Sequence, residues 1–357
     1  MWSHRSIHGS RKAGNTTTLP IRGGILRVAG LAILAFATLP PSIPLAQDDI
    51  RPDSLAFPID CELEETCFIQ NYVDRDPGPG IADFTCGPMT YDGHQGTDFR
   101  LIDDAAMHRG VDVRAALDGI VIGTRDGMAD RRWDGKADLQ GRDCGNGIHV
   151  QREDGVSIQY CHLRKGSVSV RKGDSIQKGQ KLGLVGLSGR TQFPHLHVTV
   201  RNPAGAVLDP FDTRLQDATC RFSDRRDLWS SLSSQDYQPG GLVNAGFADQ
   251  IPEYLAIQSG TADRSDTLDR TAPALVVWAN FFGLRRGDTI DLLLTDPAGK
   301  VIAQSSHQMN RNRAQQMRAT GRKRRGDAWP SGVYTAVTVL RRGFDIVSKR
   351  ELRLTLK

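Results

Sequence analysis

The chain has 357 residues, enough for two domains of about 150 residues each. Hydrophobic residues make up 39% of it and charged residues 24%, a globular composition that excludes a collagen-like, low-complexity or wholly disordered chain. The net charge of +5 is mild, so we expect no nucleic-acid partner and a modest attraction to acidic partners such as a cell envelope.

The first 46 residues are predicted to be an export signal and not part of the fold. Arg22 and Arg27 precede an apolar run over residues 28–39, which is too short to cross a bilayer as a helix. Cleavage is expected after Ala46, within Pro-Leu-Ala-Gln. The mature protein would then be periplasmic or extracellular, without stable membrane insertion. The alternative is an uncleaved membrane anchor.

The chain contains six cysteines, and in an exported protein an even number favours disulfides. None forms a Cys-x-x-Cys pair, so a structural zinc knot is not expected. Many pairings are possible from sequence alone. We favour Cys61–Cys67, Cys144–Cys161 and Cys86–Cys220.

An N-terminal extension (47–80) precedes a predicted all-β domain over residues 81–220. Short apolar runs alternate there with glycine turns, and Asp154-Gly155 is a strong hairpin signal. This pattern predicts a small antiparallel β barrel or sandwich. The polar stretch 125–145 interrupts the pattern and is predicted to be a long loop. The clearest strands are predicted at 119–123, 147–151 and 156–160.

A linker is predicted over residues 221–240, followed by a second C-terminal β-sandwich domain over 241–357. We find no catalytic constellation in this second domain. Residues 311–325 contain seven basic side chains and are interpreted as a mobile, solvated loop. The alternative is a grip on anionic envelope polymers. Strands are predicted at 274–283, 289–295, 301–305, 332–340 and 344–356.

Two short motifs in the first β domain place histidines where they could meet a metal. In Gly93-His-Gln-Gly-Thr-Asp98, two glycines favour a loop entering a strand, and Gly96 lets the loop bend so that His94 and Asp98 can meet one ion. His195 and His197 are two residues apart on a predicted strand, so both face the same side. Imidazole with carboxylate suits zinc. Each motif alone is weak, since HxxxD occurs by chance and HxH also describes surface histidines.

A third motif, Tyr160-Cys-His162-Leu, ends a predicted strand. A lone histidine there is more often structural. The other two motifs nearby in the same domain favour a functional role for His162. The remaining histidines outside the export signal match no ligand position; they are His108, His149 and His307.

Together, the three motifs resemble those of the M23 family of metallopeptidases, the lysostaphin-type cell-wall endopeptidases. The resemblance extends over roughly residues 85–211 and includes the sequence segments 111–115, 145–150 and 170–183. It does not cover the second β domain. The 125–145 loop is longer than the family core leads us to expect, which bears on the shape of the substrate groove.

The resemblance implies that His94, Asp98 and His197 hold Zn²⁺ and that His162 and His195 are the catalytic pair. Zinc with three protein ligands keeps one position for a water whose pKa it lowers. The implied function is that of a secreted zinc metalloendopeptidase that hydrolyses peptide bonds in peptidoglycan. The glutamate base of HExxH enzymes is absent, which is consistent with histidine in that role.

The sequence disfavours two other functions. A non-catalytic wall-binding or amidase-activating module of the same fold is disfavoured by the intact ligand set. A biotinyl or lipoyl carrier is disfavoured because the candidate acceptor lysines lack the expected sequence context; they are Lys165, Lys172, Lys178 and Lys181.

Overall fold

The computed structural model describes residues 55–213, 227–230, 237–262 and 264–357. The predicted export signal (1–46), Cys220 and most of the predicted linker lie outside the described residues. Over the described ranges, no helix is both long and apolar enough to cross a membrane.

The regular secondary structure of the described residues is β-strand, apart from two short helices. The first region contains β1 (Cys67–Asn71), β2 (Thr97–Leu101), α1 (Asp104–Arg109), β3 (Asp112–Arg114), β4 (Gly119–Arg125), β5 (Asn146–Gln151), β6 (Ser157–Leu163), β7 (Ser175–Ile176), β8 (Lys181–Leu184), β9 (His195–Arg201) and β10 (Val207–Leu208). The second contains β11 (Gly241–Ala248), α2 (Tyr254–Ser259), β12 (Thr267–Leu268), β13 (Ala274–Leu284), β14 (Thr289–Thr295), β15 (Val301–Gln308), β16 (Arg313–Lys323), β17 (Gly332–Arg342) and β18 (Asp345–Leu356). The prediction of an all-β fold is confirmed.

The main sheet of the first region has the order β1-β2-β9-β6-β5-β4-β7, with β10 also paired to β9 and a separate β3-β8 pair. Neighbouring strands run antiparallel. On β9, Leu196, Val198 and Val200 belong to the hydrophobic core. Because side chains alternate along a strand, His195 and His197 face the other side of the sheet.

The predicted long loop is present, since residues 126–145 contain neither strand nor helix. Asp126 and Asp130 anchor it to the segments that follow β6 and β8. The Asp126 carboxylate accepts hydrogen bonds from the backbone N–H of Gly166, and Asp130 accepts them from Lys165 and Leu187, at 2.7–2.9 Å. The acidic residues of the loop are thus used to satisfy backbone donors.

The second region is the expected β-sandwich. Its two sheets, β11-β13-β16 and β12-β18-β17-β14-β15, enclose one apolar core. Val277 and Phe281 of β13 meet Leu292 of β14 and Tyr334 of β17 there. The core side chains come from alternate positions, as expected for strands with one buried face.

The prediction of a loop over residues 311–325 was wrong. Most of that segment is β16, which pairs with β13 from Leu284↔Arg313 to Ala274↔Lys323. Met317 and Ala319 pack against the cluster around the buried Trp278. These two apolar contacts and the β13 ladder stabilise a strand whose composition suggests solvated chain. Sequence analysis also missed β11 and α2.

Disulfides join Cys61 to Cys67 and Cys144 to Cys161, as predicted. The third predicted bridge involves Cys220, outside the described residues. The two β regions touch through aromatic side chains, among them Phe68 of β1 and Phe282 of β13, whose ring centroids are 5.5 Å apart.

Candidate metal centre

Adjacent strands of the main sheet bring three of the predicted site residues onto one face. Asp98 in β2 is the antiparallel partner of His197 in β9, and Arg100 is the partner of His195. Directly opposite residues share a face, with Cβ atoms about 5 Å apart. The pairing therefore sets Asp98 beside His197 and places His195 two positions away on the same face.

His94 reaches this face from the loop before β2. Its carbonyl oxygen accepts a hydrogen bond of 2.8 Å from the Asp74 N–H, and the Asp74 carboxylate accepts one of 2.9 Å from the Gly93 N–H. Gly93 has a φ of 75°, which glycine adopts without steric cost. This local network fixes where the loop delivers the imidazole of His94.

Three candidate ligand atoms converge at the centre of the face. His94 Nε2 lies 3.2 Å from both Asp98 Oδ1 and His197 Nδ1, and the latter two atoms are 2.8 Å apart. His94 and Asp98 are each only 2% exposed. Two imidazole nitrogens and one carboxylate oxygen at this spacing could hold one divalent cation, and this donor set suits zinc.

The outer atoms of the same side chains have partners of their own. His94 Nδ1 is 2.6 Å from the Tyr72 carbonyl oxygen, and His197 Nε2 is 2.9 Å from Thr199 Oγ1. Asp98 Oδ2 accepts a hydrogen bond of 2.8 Å from Asn71 Nδ2. An N–H that points outward to such a partner leaves the inward nitrogen with a free lone pair, as metal-binding histidines require. The residues therefore fit a zinc ion.

The charges of the cluster also suit a cation. Burial opposes ionisation of Asp98, but the neighbouring His94 and His195 hold its pKa well below the usual range. Burial lowers the pKa of His197. At His94, burial also acts to lower the pKa, but Asp98 reverses the balance and the pKa is raised. At neutral pH Asp98 is therefore ionised and His197 is neutral, so both can bind a cation. At His94 a proton competes with a metal ion.

The two predicted catalytic histidines lie together at the edge of this cluster. The ring centroids of His162 and His195 are 4.6 Å apart. His162 Nδ1 lies 2.7 Å from the Ser188 carbonyl oxygen, and His195 Nδ1 lies 3.0 Å from the Phe193 carbonyl oxygen. Each Nδ1–H donates to its carbonyl, which leaves both Nε2 atoms as acceptors. His195 Nε2 lies 3.4 Å from Asp98 Oδ1, so this ring faces the cluster.

Residues 92–210 match the family model described as Peptidase family M23. This segment is a domain of that family. Two curated relatives are the peptidoglycan DD-endopeptidases ShyA and ShyB of Vibrio cholerae. ShyA is 34% identical over 104 residues, which are 29% of this chain and 19% of the relative. ShyB is 40% identical over 60 residues, which are 16% of this chain and 14% of the relative. The chain thus matches less than a fifth of the length of these relatives.

Similar solved structures include a zinc-containing peptidase from Vibrio cholerae, with 23% identity, 46% of this chain and 41% of that chain covered, and a TM-score of 0.29. Another is the catalytic domain of lysostaphin from Staphylococcus simulans. There the identity is 22%, the coverage is 39% of this chain and 85% of that chain, and the TM-score is 0.26.

His162 owes its place in the M23 domain to a β-bulge. Asn146 pairs with Leu163 and Ile148 with Tyr160, so two residues of β6 stand opposite one residue of β5. His162 has a φ of 63°, in the left-handed region that costs a non-glycine residue about 1–3 kcal/mol. In a regular strand His162 would face the core beside Tyr160. The bulge turns it towards His195 instead.

Several residues that orient the candidate ligands of the M23 domain were missed by sequence analysis. Asn71 and Tyr72 come from the extension before the domain, and no signal in the sequence marks them. Thr199 could have been found, because it lies two residues after His197 on the same face of β9.

A Gly96→Ala substitution should weaken zinc binding about 10- to 100-fold, the usual cost of disturbing the surroundings of metal ligands. A Cβ at position 96 would lie 2.6 Å from both His197 Nε2 and the Val198 carbonyl oxygen, so either the loop or the His197 ring must shift. Competition with a zinc chelator measures the affinity. Gly123→Ala is the control, since its new Cβ would approach nothing closer than 3.9 Å. Equal affinities in the two variants would contradict this role for Gly96.

Proposed function

We propose that the M23 domain is a zinc-dependent endopeptidase that hydrolyses peptide bonds in peptidoglycan. One observation carries the proposal: His94, Asp98 and His197 direct three ligand atoms to one point, with the rings of His162 and His195 beside it. The family match supports a hydrolase of this type. The names of the curated relatives support peptidoglycan as the substrate.

In this proposal His94, Asp98 and His197 hold the ion. Bound zinc supplies a Lewis acid that polarises a carbonyl group and lowers the pKa of water. The fixed outer hydrogen bonds keep the ligand atoms aimed inward, so little reorganisation is needed on binding.

His162 and His195 would move protons at their Nε2 atoms. Burial, with the nearby His195 and His197, depresses the pKa of His162 well below the usual range, so its ring is neutral and can accept a proton at neutral pH. The carbonyl of Ser188 holds His162 Nδ1–H, and that of Phe193 holds His195 Nδ1–H. Both rings are therefore presented in one tautomer and one orientation.

We also propose that the protein acts outside the cytoplasm. The sequence of residues 1–46 has the features of an export signal. The disulfides Cys61–Cys67 and Cys144–Cys161 are typical of exported proteins. Peptidoglycan lies in the same compartment.

Metal removal tests the proposal directly. The purified protein is expected to carry one zinc ion per chain by elemental analysis and to release peptide fragments from purified cell-wall sacculi. Chelation should abolish this release. Added zinc should restore it, because the ion binds reversibly to His94, Asp98 and His197. A folded protein that binds no stoichiometric zinc would refute the proposal. Full zinc occupancy without any hydrolysis would favour a non-catalytic wall-binding module.

A further inference from the structure

The segment around β16 carries positive charge without compensation. No Asp or Glu occurs between Asp296 and Asp327. Within the described residues, none of the basic side chains of this segment forms an ion pair, whereas Arg341, Arg342 and Arg350 of the two strands that follow it in the chain do. The basic side chains without an ion pair are Arg311, Arg313, Arg318, Arg322, Lys323, Arg324 and Arg325.

The strand distributes four of these charges over its two faces, with Arg313 and Lys323 on one face and Arg318 and Arg322 on the other. Among the described strands β16 pairs only with β13, so it is an edge strand whose 11 residues extend about 35 Å. Arg313 and Lys323 are exposed at its two ends. Burial, and to a smaller extent the neighbouring Arg313, lower the pKa of Arg318. The exposed positive charges at the two ends of the strand would attract a linear anion laid along it.

The N-terminal end of β16 lies near the candidate metal centre. A cleft of about 200 Å³ is lined by Gln70 and Asn71 on one side and by Asn312 and Arg313 on the other. Asn71 is the residue whose side chain donates to Asp98. The cleft therefore lies between the first residues of β16 and a residue that contacts the candidate ligand Asp98. The side chains of Gln70 and Gln315 meet across the same junction, at 3.4 Å.

We infer that β16 is an extended binding site for a carboxylate-bearing cell-wall polymer, and that this site begins beside the candidate metal centre of the M23 domain. The choice of polymer rests on the proposed function, because the peptide stems of peptidoglycan carry free carboxylates at regular intervals. Arginine and lysine along an exposed edge would bind several such carboxylates at once. The second β region thereby holds the polymer while the M23 domain acts on it.

Binding of the full-length protein to purified sacculi tests this inference. A triple variant, Arg313→Gln, Lys323→Gln and Arg325→Gln, changes only exposed side chains, so the fold should be kept. Its affinity for sacculi should fall about tenfold, and that of the wild type should fall with added salt. Cleavage of a short soluble cross-linked peptide should be unchanged.

The matched control removes three exposed lysines from the M23 domain, as Lys165→Gln, Lys172→Gln and Lys178→Gln. An equal loss of affinity in both triple variants would overturn the inference, because net charge alone would then explain binding. Undiminished binding to sacculi whose carboxylates have been converted to amides would also overturn it. A wild type that binds through β16 but does not cleave would refute the proposed function and leave this inference standing.

Discussion

Asp98→Ala should eliminate both zinc binding and peptide hydrolysis. Asp98 Oδ1 lies within 3.4 Å of ring nitrogens of His94, His195 and His197, and it is the only carboxylate in the candidate ligand set. Without it, two neutral imidazoles remain, and a divalent cation loses its charge compensation. Lewis-acid stabilisation contributes several kcal/mol, so the rate should fall by about a thousandfold or more. Elemental analysis and turnover of a soluble peptide measure the two effects.

The control for Asp98→Ala is Asp288→Ala in the second β region. Asp288 is 1% exposed and accepts a hydrogen bond of 2.8 Å from Arg342, so its removal also deletes a buried carboxylate. It should lower the free energy of unfolding by about 3–5 kcal/mol, because Arg342 loses its carboxylate partner and keeps only the carbonyl oxygens of Pro239 and Gly283. Zinc content and activity per folded molecule should stay at the wild-type level. Zinc retained in Asp98→Ala would show that the cation is held elsewhere.

The all-β architecture follows from alternation in the sequence. The strand predicted at 289–295 coincides with β14, and the one predicted at 274–283 ends one residue before β13 does. The predicted strands carry apolar side chains at alternate positions and end in turns with strong local signals. The failure at β16 has a physical cause, since its stability comes from Met317 and Ala319 packing on Trp278. Those contacts are tertiary and leave little trace in the local composition.

The candidate site also has one part that the sequence predicts and another part that only the tertiary structure shows. The spacing of His195 and His197 places both on one face of a strand, and this could be derived from the sequence. That Asp98 stands opposite His197 depends on the register between β2 and β9, which local sequence does not determine. The family resemblance supplied that information. The partners Asn71 and Tyr72 belong to β1 and the turn after it, so only the tertiary structure identifies them.

The bulge at His162 is a further feature that sequence patterns do not contain. Strict alternation would turn this side chain towards the core. Gly147 makes the bulge possible, because a Cβ there would lie 2.7 Å from both Cys144 Sγ and the Tyr160 carbonyl oxygen. The His162 N–H donates to the Cys144 carbonyl oxygen at 2.8 Å, and Cys144 is itself bonded to Cys161. A glycine and a disulfide thus support the strained residue from both sides.

His162→Asn should reduce the rate of peptide hydrolysis about 10²- to 10⁴-fold, the usual contribution of a general acid or base, while zinc remains bound. Asparagine tolerates the left-handed backbone that His162 adopts, so the bulge should persist. It cannot accept a proton as imidazole does. His162 is not among the three candidate ligands, and zinc content should therefore equal that of the wild type. Single-turnover rates on a soluble peptide, with parallel metal analysis, separate this effect from that of Asp98→Ala.

His149→Asn is the matched control for His162→Asn. His149 lies on β5, the neighbour of β6, and pairs with Gln159, but it makes no contact with the metal cluster among the described residues. Its pKa is lowered by partial burial and by Arg201, so the substitution removes another neutral imidazole from the same sheet. Its rate should match that of the wild type. If His162→Asn also kept the wild-type rate, His195 would have to move the proton alone, and the bulge would have no catalytic purpose.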